Sequence, residues 1–513
     1  MLEAISIQAK SPRRWARATA MGVLLASAAC TLLLDRNSTQ CQSDADCAKF
    51  SGHPYCQQGV CVPSGLGPQG CVVTAPQSQT DYLNACSTAT CLPFNNCERL
   101  GLCGSDNALP MTVDPINPAI PPLVNPVTVP TKSCSDGAAN LIYMFGTSDF
   151  APMLRAVQPL LSANTPSYRA VYQNSSSCAG VASVFDSTKR TIKDPAPTAT
   201  PNYAFYFDDN SHQVNCLLDP GGNTIDIGVS NLFSTTCNTD TATYVSGSGV
   251  SDYTGPVVPF VLSVPATSSQ LSISTEALHI VFGMGGRTDG ANGVRDAVPW
   301  TDPTYYCIRN GGAGSTVLSA LLIKVPKTKF WGIDRLSTDN LRDSLLASTS
   351  ADETIGILSI DYADKNRGNL RSLFLQSAGQ LCGYVPDSNM NSYDKKNVRD
   401  GHYPLWGYVH FFTPIGAGGV PADAAKTFVT HFSVSRLDQG LVDNVINASL
   451  VPQCAMRVAR NTDIGDFMPQ LGFQCGCYFD SKTTGKTDCQ QCQSPTDCPA
   501  ERSACNYGYC ELN

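Results

Sequence analysis

Two junctions in this sequence combine glycine, hydroxyl and charged residues at a spacing that could do chemistry. At the first, the apolar run Leu141-Ile-Tyr-Met-Phe145 stops at Gly146-Thr147-Ser148-Asp149. Apolar residues then recur at Phe150, Met153, Leu154, Val157, Leu160 and Leu161, which is close to helical spacing. A strand that ends in Thr, Ser and Asp and passes into a helix offers hydroxyls and free backbone N–H groups to a negative ligand. The same residues also serve as plain helix caps. The second junction is Arg309-Asn-Gly-Gly-Ala-Gly314-Ser315-Thr316, followed by an apolar helix from Val317. Its glycines let the backbone wrap an oxyanion, Ser315 and Thr316 add hydroxyls, and Arg309 adds a charge-assisted fork. The other reading is a glycine-rich surface turn. No Lys follows the last glycine, so this is not a Walker A loop.

Catalytic constellations find little support in the sequence. None of the six histidines stands in an H-x3-H or HExxH arrangement, and His402 and His410 lie eight positions apart, without metal-ligand meaning. No G-x-S-x-G elbow occurs. We expect no enzyme, no cofactor and no metal site.

The elements that must position the two junctions alternate. Strand-like runs follow at Tyr203–Phe207, Thr224–Val229, Pro259–Val264 and Thr354–Ile360, and helix-like segments near Thr275–Phe282, Thr316–Leu322, Thr338–Ser348 and Ala422–Val434. Strands alternating with helices over about 320 residues predict an α/β domain, built as two lobes.

Cysteine usage sets this domain apart from both ends. Of 24 cysteines, nine fall between 41 and 103 and seven between 475 and 510. Residues 41–61 and 492–510 both read C-x5-C-x6–8-C-x2-G-x-C and share Cys-Gln-Ser, the Asp before the second cysteine and the Gly. A four-cysteine unit this short buries no core of its own, so disulfides hold it. Zinc is the other reading of Cys475-Gly-Cys477 and Cys489-Gln-Gln-Cys492, but the spacings favour bridges in an oxidising compartment. Between the first cluster and the central domain, seven prolines from Pro110 to Pro130 predict an extended, semi-rigid spacer.

Export agrees with the N-terminus. Arg13, Arg14 and Arg17 precede an uncharged run from Ala18 to Leu34, which reads as a signal peptide. The small residues before Cys30 resemble a bacterial lipobox, with Ser27 where Leu is usual, and make Cys30 the expected lipidation site. Ordinary cleavage and a retained anchor are the alternatives. With Cys30 acylated, 23 cysteines remain, an odd number, so either one thiol is free or Cys30 is not acylated. The 513 residues carry a net charge of −8, with 15 % charged residues and 42 % hydrophobic ones, which excludes a nucleic-acid-coating protein and wholesale disorder. The expected divisions are a signal at 1–30, a cysteine-rich module at 31–107, a linker at 108–132, the α/β domain at 133–470 and a second cysteine-rich module at 471–513.

Four central motifs, taken in order, resemble the phosphate-binding component of bacterial ABC transporters, a type II periplasmic solute-binding protein. They are Gly146-Thr-Ser-Asp-Phe-Ala-Pro152, Ser175-Ser-Ser-Cys-Ala-Gly-Val181, Asp226-Ile-Gly-Val-Ser-Asn231 and Arg309-Asn-Gly-Gly-Ala-Gly-Ser315, with Tyr403-Pro-Leu405 resembling the family's second crossover. The similarity spans roughly residues 138–455. It implies two α/β lobes joined by a hinge, with an anion held between them by Thr147, Ser148, Asp149, Ser177, Asn231, Arg309, Gly314, Ser315 and Thr316. Two positions depart from the family: its proton-accepting aspartate falls on Asn231, and a serine of the arginine loop falls on Ala313. Asp149 could supply the carboxylate instead, or repel an anion.

The resemblance implies an exported, lipid-anchored protein of a Gram-negative cell envelope, in the periplasm or outer membrane. It would capture a small phosphate-like oxyanion for an ABC permease. The rival reading keeps the fold without the ligand, as a surface interaction protein.

Overall fold

The computed structural model describes residues 70–512 apart from 105–107, 117–127, 196–201, 239–242, 246, 248, 417–421 and 433–436; before residue 70 it describes 41, 43, 46, 47, 55–57 and 60–62. The signal segment and Cys30 lie outside the described residues. The chain divides into two compact units, residues 1–75 and 76–513. In the first, Tyr55–Gln57 and Val60–Val62 form an antiparallel hairpin with Cys56 opposite Cys61.

The second unit carries the α/β body. It begins with strand β1 (Leu141–Thr147), helix α1 (Ala151–Ala163), β2 (Arg169–Ser175) and α2 (Ser177–Phe185), and continues through β3 (Ala204–Phe207), β4 (Gln213–Cys216) and β5 (Ile227–Ser230). The 16-residue β6 (Val250–Pro265) leads to the second lobe: α3 (Thr275–Met284), β7 (Tyr306–Ile308), α4 (Gly314–Leu322), β8 (Ile333–Asp334), α5 (Thr338–Leu346), β9 (Ile355–Ser359), α6 (Ile360–Lys365) and β10 (Leu370–Ser372). The chain returns through β11 (Trp406–Pro414) and closes with α7 (Asp423–Thr430), α8 (Gln439–Asn447), α9 (Gly476–Thr484) and the hairpin β12 (Ala504–Asn506) to β13 (Tyr509–Glu511).

One sheet runs through both lobes in the order β8-β7-β9-β6-β11-β5-β1-β2-β3-β4, with β10 also on β6. Strands β1, β2 and β5 pair in parallel, as do β7, β8 and β9, so each lobe has a parallel centre fed by helical crossovers. The two long strands join them. Residues 250–259 of β6 pair antiparallel with β11, and its end pairs with β9 and β10. Residues 257–265 of β6 are all buried. Cover on both faces is why this strand reads as a continuous apolar run instead of an alternating one. The architecture is the expected α/β fold in two lobes, and the crossover expected near Tyr403–Leu405 is β11, which begins at Trp406.

Helix α2 lies unusually close to the sheet. A Cβ on Gly146 or Gly180 would come within 1.8 or 2.2 Å of the Val229 carbonyl oxygen, so only glycine fits at either position. That contact fixes the start of α2 beside the end of β1.

Disulfides hold the rest. Cys134–Cys216 and Cys178–Cys237 cross-link the first lobe, and Cys91–Cys382 ties the N-terminal segment to the second. In the C-terminal module, Cys454–Cys475, Cys477–Cys489, Cys492–Cys505 and Cys498–Cys510 are all bridged, so the zinc reading of these thiols fails. The repeat proves structural: Cys505 faces Cys510 across its hairpin as Cys56 faces Cys61. Cys307, buried in β7, carries a free thiol.

The region expected to be a cysteine-rich module and spacer is partly docked. Leu92 bridges to Gly383, and Arg99 donates to the Val298 carbonyl at 2.6 Å. Within the proline-rich stretch, the Val113 N–H donates to the Gly283 carbonyl, Trp331 donates to the Val113 carbonyl, and a His279 nitrogen meets the Pro110 carbonyl at 3.0 Å. Residues 108–116 therefore lie along the second lobe. Among the described residues, no helix is long and apolar enough to cross a membrane.

Candidate functional site

In an open α/β sheet, ligand groups gather outside the carboxyl ends of the parallel strands. Here the ends of β1, β2 and β5 in one lobe face the ends of β7 and β9 in the other. Thr147, Ser148 and Asp149 stand at the end of β1; Ser175 ends β2 and Ser176 leads into α2; Arg309 follows β7; Ser315 is in the first turn of α4; Thr338 opens α5; Ser359 ends β9. All of these line one cavity of about 10 Å³. That is close to the least that can hold a single water.

Arg309 is the cation at its centre. It is 6 % exposed, and no carboxylate stands within salt-bridge distance among the described residues. Its Nη1 donates to Thr338 Oγ1 at 2.7 Å and to Ser148 Oγ at 3.2 Å, and the two hydroxyls are 2.9 Å apart. Its Nε has no hydrogen-bond partner. A buried guanidinium bonded to neutral hydroxyls, with no carboxylate at salt-bridge distance among the described residues, favours an anion, because a negative partner offsets the cost of desolvating it. Helix α4 adds to this field: its N-cap is Ala313, whose side chain cannot cap the first turn.

Two carboxyl groups stand close by. Asp149 is buried and its Oδ2 accepts from Asn231 Nδ2 at 2.8 Å and Thr147 Oγ1 at 3.1 Å. Burial raises its pKa, against the lowering pull of the Arg309 cation and of hydrogen bonds from Ser359, Thr147 and Asn231. Ser359 Oγ donates to Asp361 Oδ1 at 2.7 Å. Asp361 is fully buried, and burial together with the neighbouring Asp149 pushes its pKa up to about 6 although Lys365 works against the shift. Two carboxyls and one guanidinium thus share a buried site, with Asp149 and Arg309 lining the cavity and Asp361 outside its lining.

The expected residues divide into two groups. Thr147, Ser148, Asp149, Arg309, Gly314 and Ser315 line the cavity. Ser177, Asn231 and Thr316 do not. Ser177 Oγ accepts the Asn231 N–H at 3.1 Å, and Asn231 donates to Asp149 and Thr147, so both serve the residues in front of them. Thr316 Oγ1 donates to the Arg309 carbonyl at 2.8 Å, which fixes the base of the arginine loop. Sequence reading missed Ser175, Ser176, Thr338, Ser359 and Asp361. Thr338 was detectable as the first residue of a helix-like segment, and Ser359 as the hydroxyl closing an apolar run.

The lobes are in direct contact around the cavity. The Cys178 N–H, in the first turn of α2, donates to the Gly312 carbonyl at 3.0 Å, and Ser148 meets both Arg309 and Thr338. Gly314 packs where a Cβ would stand 2.8 Å from Ser177 Oγ and 2.9 Å from Asn231 Cβ. No histidine lines the cavity; His410 is buried in β11 against Asp252 at 2.9 Å, and His402 bonds the Ala85 carbonyl. Outside the cavity, a cleft of about 580 Å³ opens past Ser148, Ser175, Arg309 and Thr338.

No protein-family profile matches the chain, and no curated protein matches its sequence. Solved structures with a related course of the chain include an ABC-type phosphate transport receptor from Vibrio cholerae, with a TM-score of 0.38 and 10 % identity over 61 % of this chain and 100 % of that one. PstS from Borrelia burgdorferi gives 0.34 and 13 % over 61 % and 99 %. The C206 mutant of OxyR from Corynebacterium glutamicum gives 0.33 and 9 % over 61 % and 66 %.

Proposed function

We propose that the chain is an exported solute-binding protein that captures a small, phosphate-like oxyanion between its two lobes. Its site is Arg309 with Ser148, Thr338, Ser315 and the start of α4. The observation that carries the reading is the buried Arg309 guanidinium, whose Nη1 bonds hydroxyls and whose Nε is unpartnered, with no carboxylate at salt-bridge distance among the described residues. Because the cavity holds about 10 Å³, the anion must enter with the lobes apart. Opening would bend β6 and β11, the strands shared by both lobes, and closure on the anion would exchange the Arg309–Ser148 bond for contacts to the ligand. Asp149 stands ready to accept a proton from a hydrogen phosphate, which would favour that ion over fully ionised sulfate. Lipidation at Cys30, a place in the Gram-negative envelope and delivery to an ABC permease complete the proposal.

The second reading, an interaction protein that has lost its ligand, draws on the direct contacts between the lobes and the use of the Cys178 N–H by Gly312. Equilibrium dialysis with labelled phosphate separates the two. Saturable uptake that excess unlabelled phosphate displaces and excess sulfate does not is the expected result. Absence of uptake by folded, ligand-stripped protein would favour the second reading.

A further inference from the structure

We infer that the anion this site takes is the phosphate end of a hydroxylated organic monoester, such as a sugar or polyol phosphate, whose uncharged part lies in the outer cleft. The inference rests on the oxyanion reading of Arg309 and names its ligand class. Three observations carry it. The closed cavity is no larger than a water site, whereas the cleft it opens into measures about 580 Å³, within the range of organic-ligand pockets. The two spaces share Ser148, Ser175, Arg309 and Thr338, so one molecule can reach from the guanidinium into the cleft.

The cleft wall is made for hydroxyls. Asn174, Asn310 and Asn340 present amides, each both donor and acceptor, as a hydroxyl itself is. Asn174 Oδ1, buried in this closed arrangement, is without a hydrogen-bond partner among the described residues. Tyr362 adds an aromatic face, half-buried, with its hydroxyl on Asp339 at 3.3 Å and the Arg342 guanidinium 5.8 Å from its ring centre.

Charge limits the class further. Arg342 is already paired with Asp339 at 2.9 Å and with Asp343 at 2.7 Å. Lys365, 5.9 Å from the Tyr362 ring centre, is paired with Asp361 at 3.5 Å. Among the described residues the outer cleft therefore offers no unpaired cation to a second phosphate, which argues for a monoester with a neutral remainder and against a nucleoside polyphosphate. Ring C–H groups of a sugar would lie against Tyr362 while its hydroxyls meet the amides.

Calorimetric titration of the oxidised protein with inorganic phosphate, glycerol 3-phosphate, glucose 6-phosphate and glucose tests this. At least one ester is expected to bind tenfold or more tightly than inorganic phosphate, and glucose not to bind. Tyr362→Ala should reduce ester affinity at least fivefold while leaving inorganic phosphate unchanged, with Tyr362→Phe close to the unaltered protein. Inorganic phosphate equal to or tighter than every ester would overturn the inference and leave the oxyanion reading standing. No binding of any phosphate would remove both.

Discussion

The two halves of the cleft solve the same task with different materials. In the first lobe, the hydroxyl-bearing ends of β1 and β2 are pinned: α2 sits against Gly146 without room for a methyl group, and its first turn is cross-linked by Cys178–Cys237. In the second lobe, the arginine loop from Arg309 to Gly314 has no cross-link, and the nearby Cys307 is a free thiol. Its shape depends on hydrogen bonds, from Thr316 to the Arg309 carbonyl and from the Gly312 N–H to Asn310. The half that supplies donors is fixed covalently, and the half that supplies the charge can adjust. For a site that must open to admit a ligand, that division lets one wall stay organised while the other moves.

The largest expected effect on stability comes from unlocking the first half. Replacing Cys178 and Cys237 together by Ser should cost about 2–4 kcal/mol of unfolding free energy in denaturant titration, because a 59-residue separation is no longer closed in the unfolded chain. A loss under 1 kcal/mol would mean that glycine packing alone fixes α2, and the contrast between the halves would weaken.

Next comes the contact between the halves. Gly314→Ala places a methyl group against Ser177 and Asn231, and should cost about 1–3 kcal/mol as an overpacked junction. If the lobes separate easily the cost will be smaller, and the variant will instead show weakened ligand affinity in the same titrations. Unaltered stability together with unaltered affinity would contradict the closed arrangement of Gly314.

The smallest effect is a slope against pH. The folded chain holds the Asp361 proton up to about pH 6, whereas an unfolded aspartate releases it near its ordinary value of 3.8. Between those values the folded state binds more protons than the unfolded one, so this group makes stability fall as the pH rises. Asp361→Asn should flatten that part of the profile, and thermal unfolding from pH 4 to pH 7 measures it. A steeper fall in the variant would reverse the assignment.

Legibility in the sequence follows the same division. The first half could be read locally, because Gly146-Thr-Ser-Asp149 interrupts an apolar run and the helical spacing resumes at Phe150. Arg309 could be read from its glycine loop. Thr338 and Ser359 show in the sequence only as ends of elements; their place at the site, like that of Asp361, comes only through the pairing of β9 with β6 and β7 and the packing of α5 on the sheet. Asp149 was visible, but the burial that raises its pKa, and the Arg309 cation and Asn231 bond that oppose the rise, come from distant parts of the chain. Cysteine spacing revealed the repeat at both ends. It could not reveal Cys91–Cys382, a bridge across 291 residues that draws part of the N-terminal cysteine cluster onto the second lobe. Spacing reports local bridges; long-range ones depend on the fold.

The most direct test of the oxyanion site is calorimetry of the oxidised protein and of Arg309→Ala, side by side, with inorganic phosphate and the phosphate esters. The account predicts saturable binding by the unaltered protein, and a loss of affinity of about 100-fold or more in the variant, since it removes the buried charge that the ligand neutralises. Equal affinity in the two proteins, both folded, would contradict it.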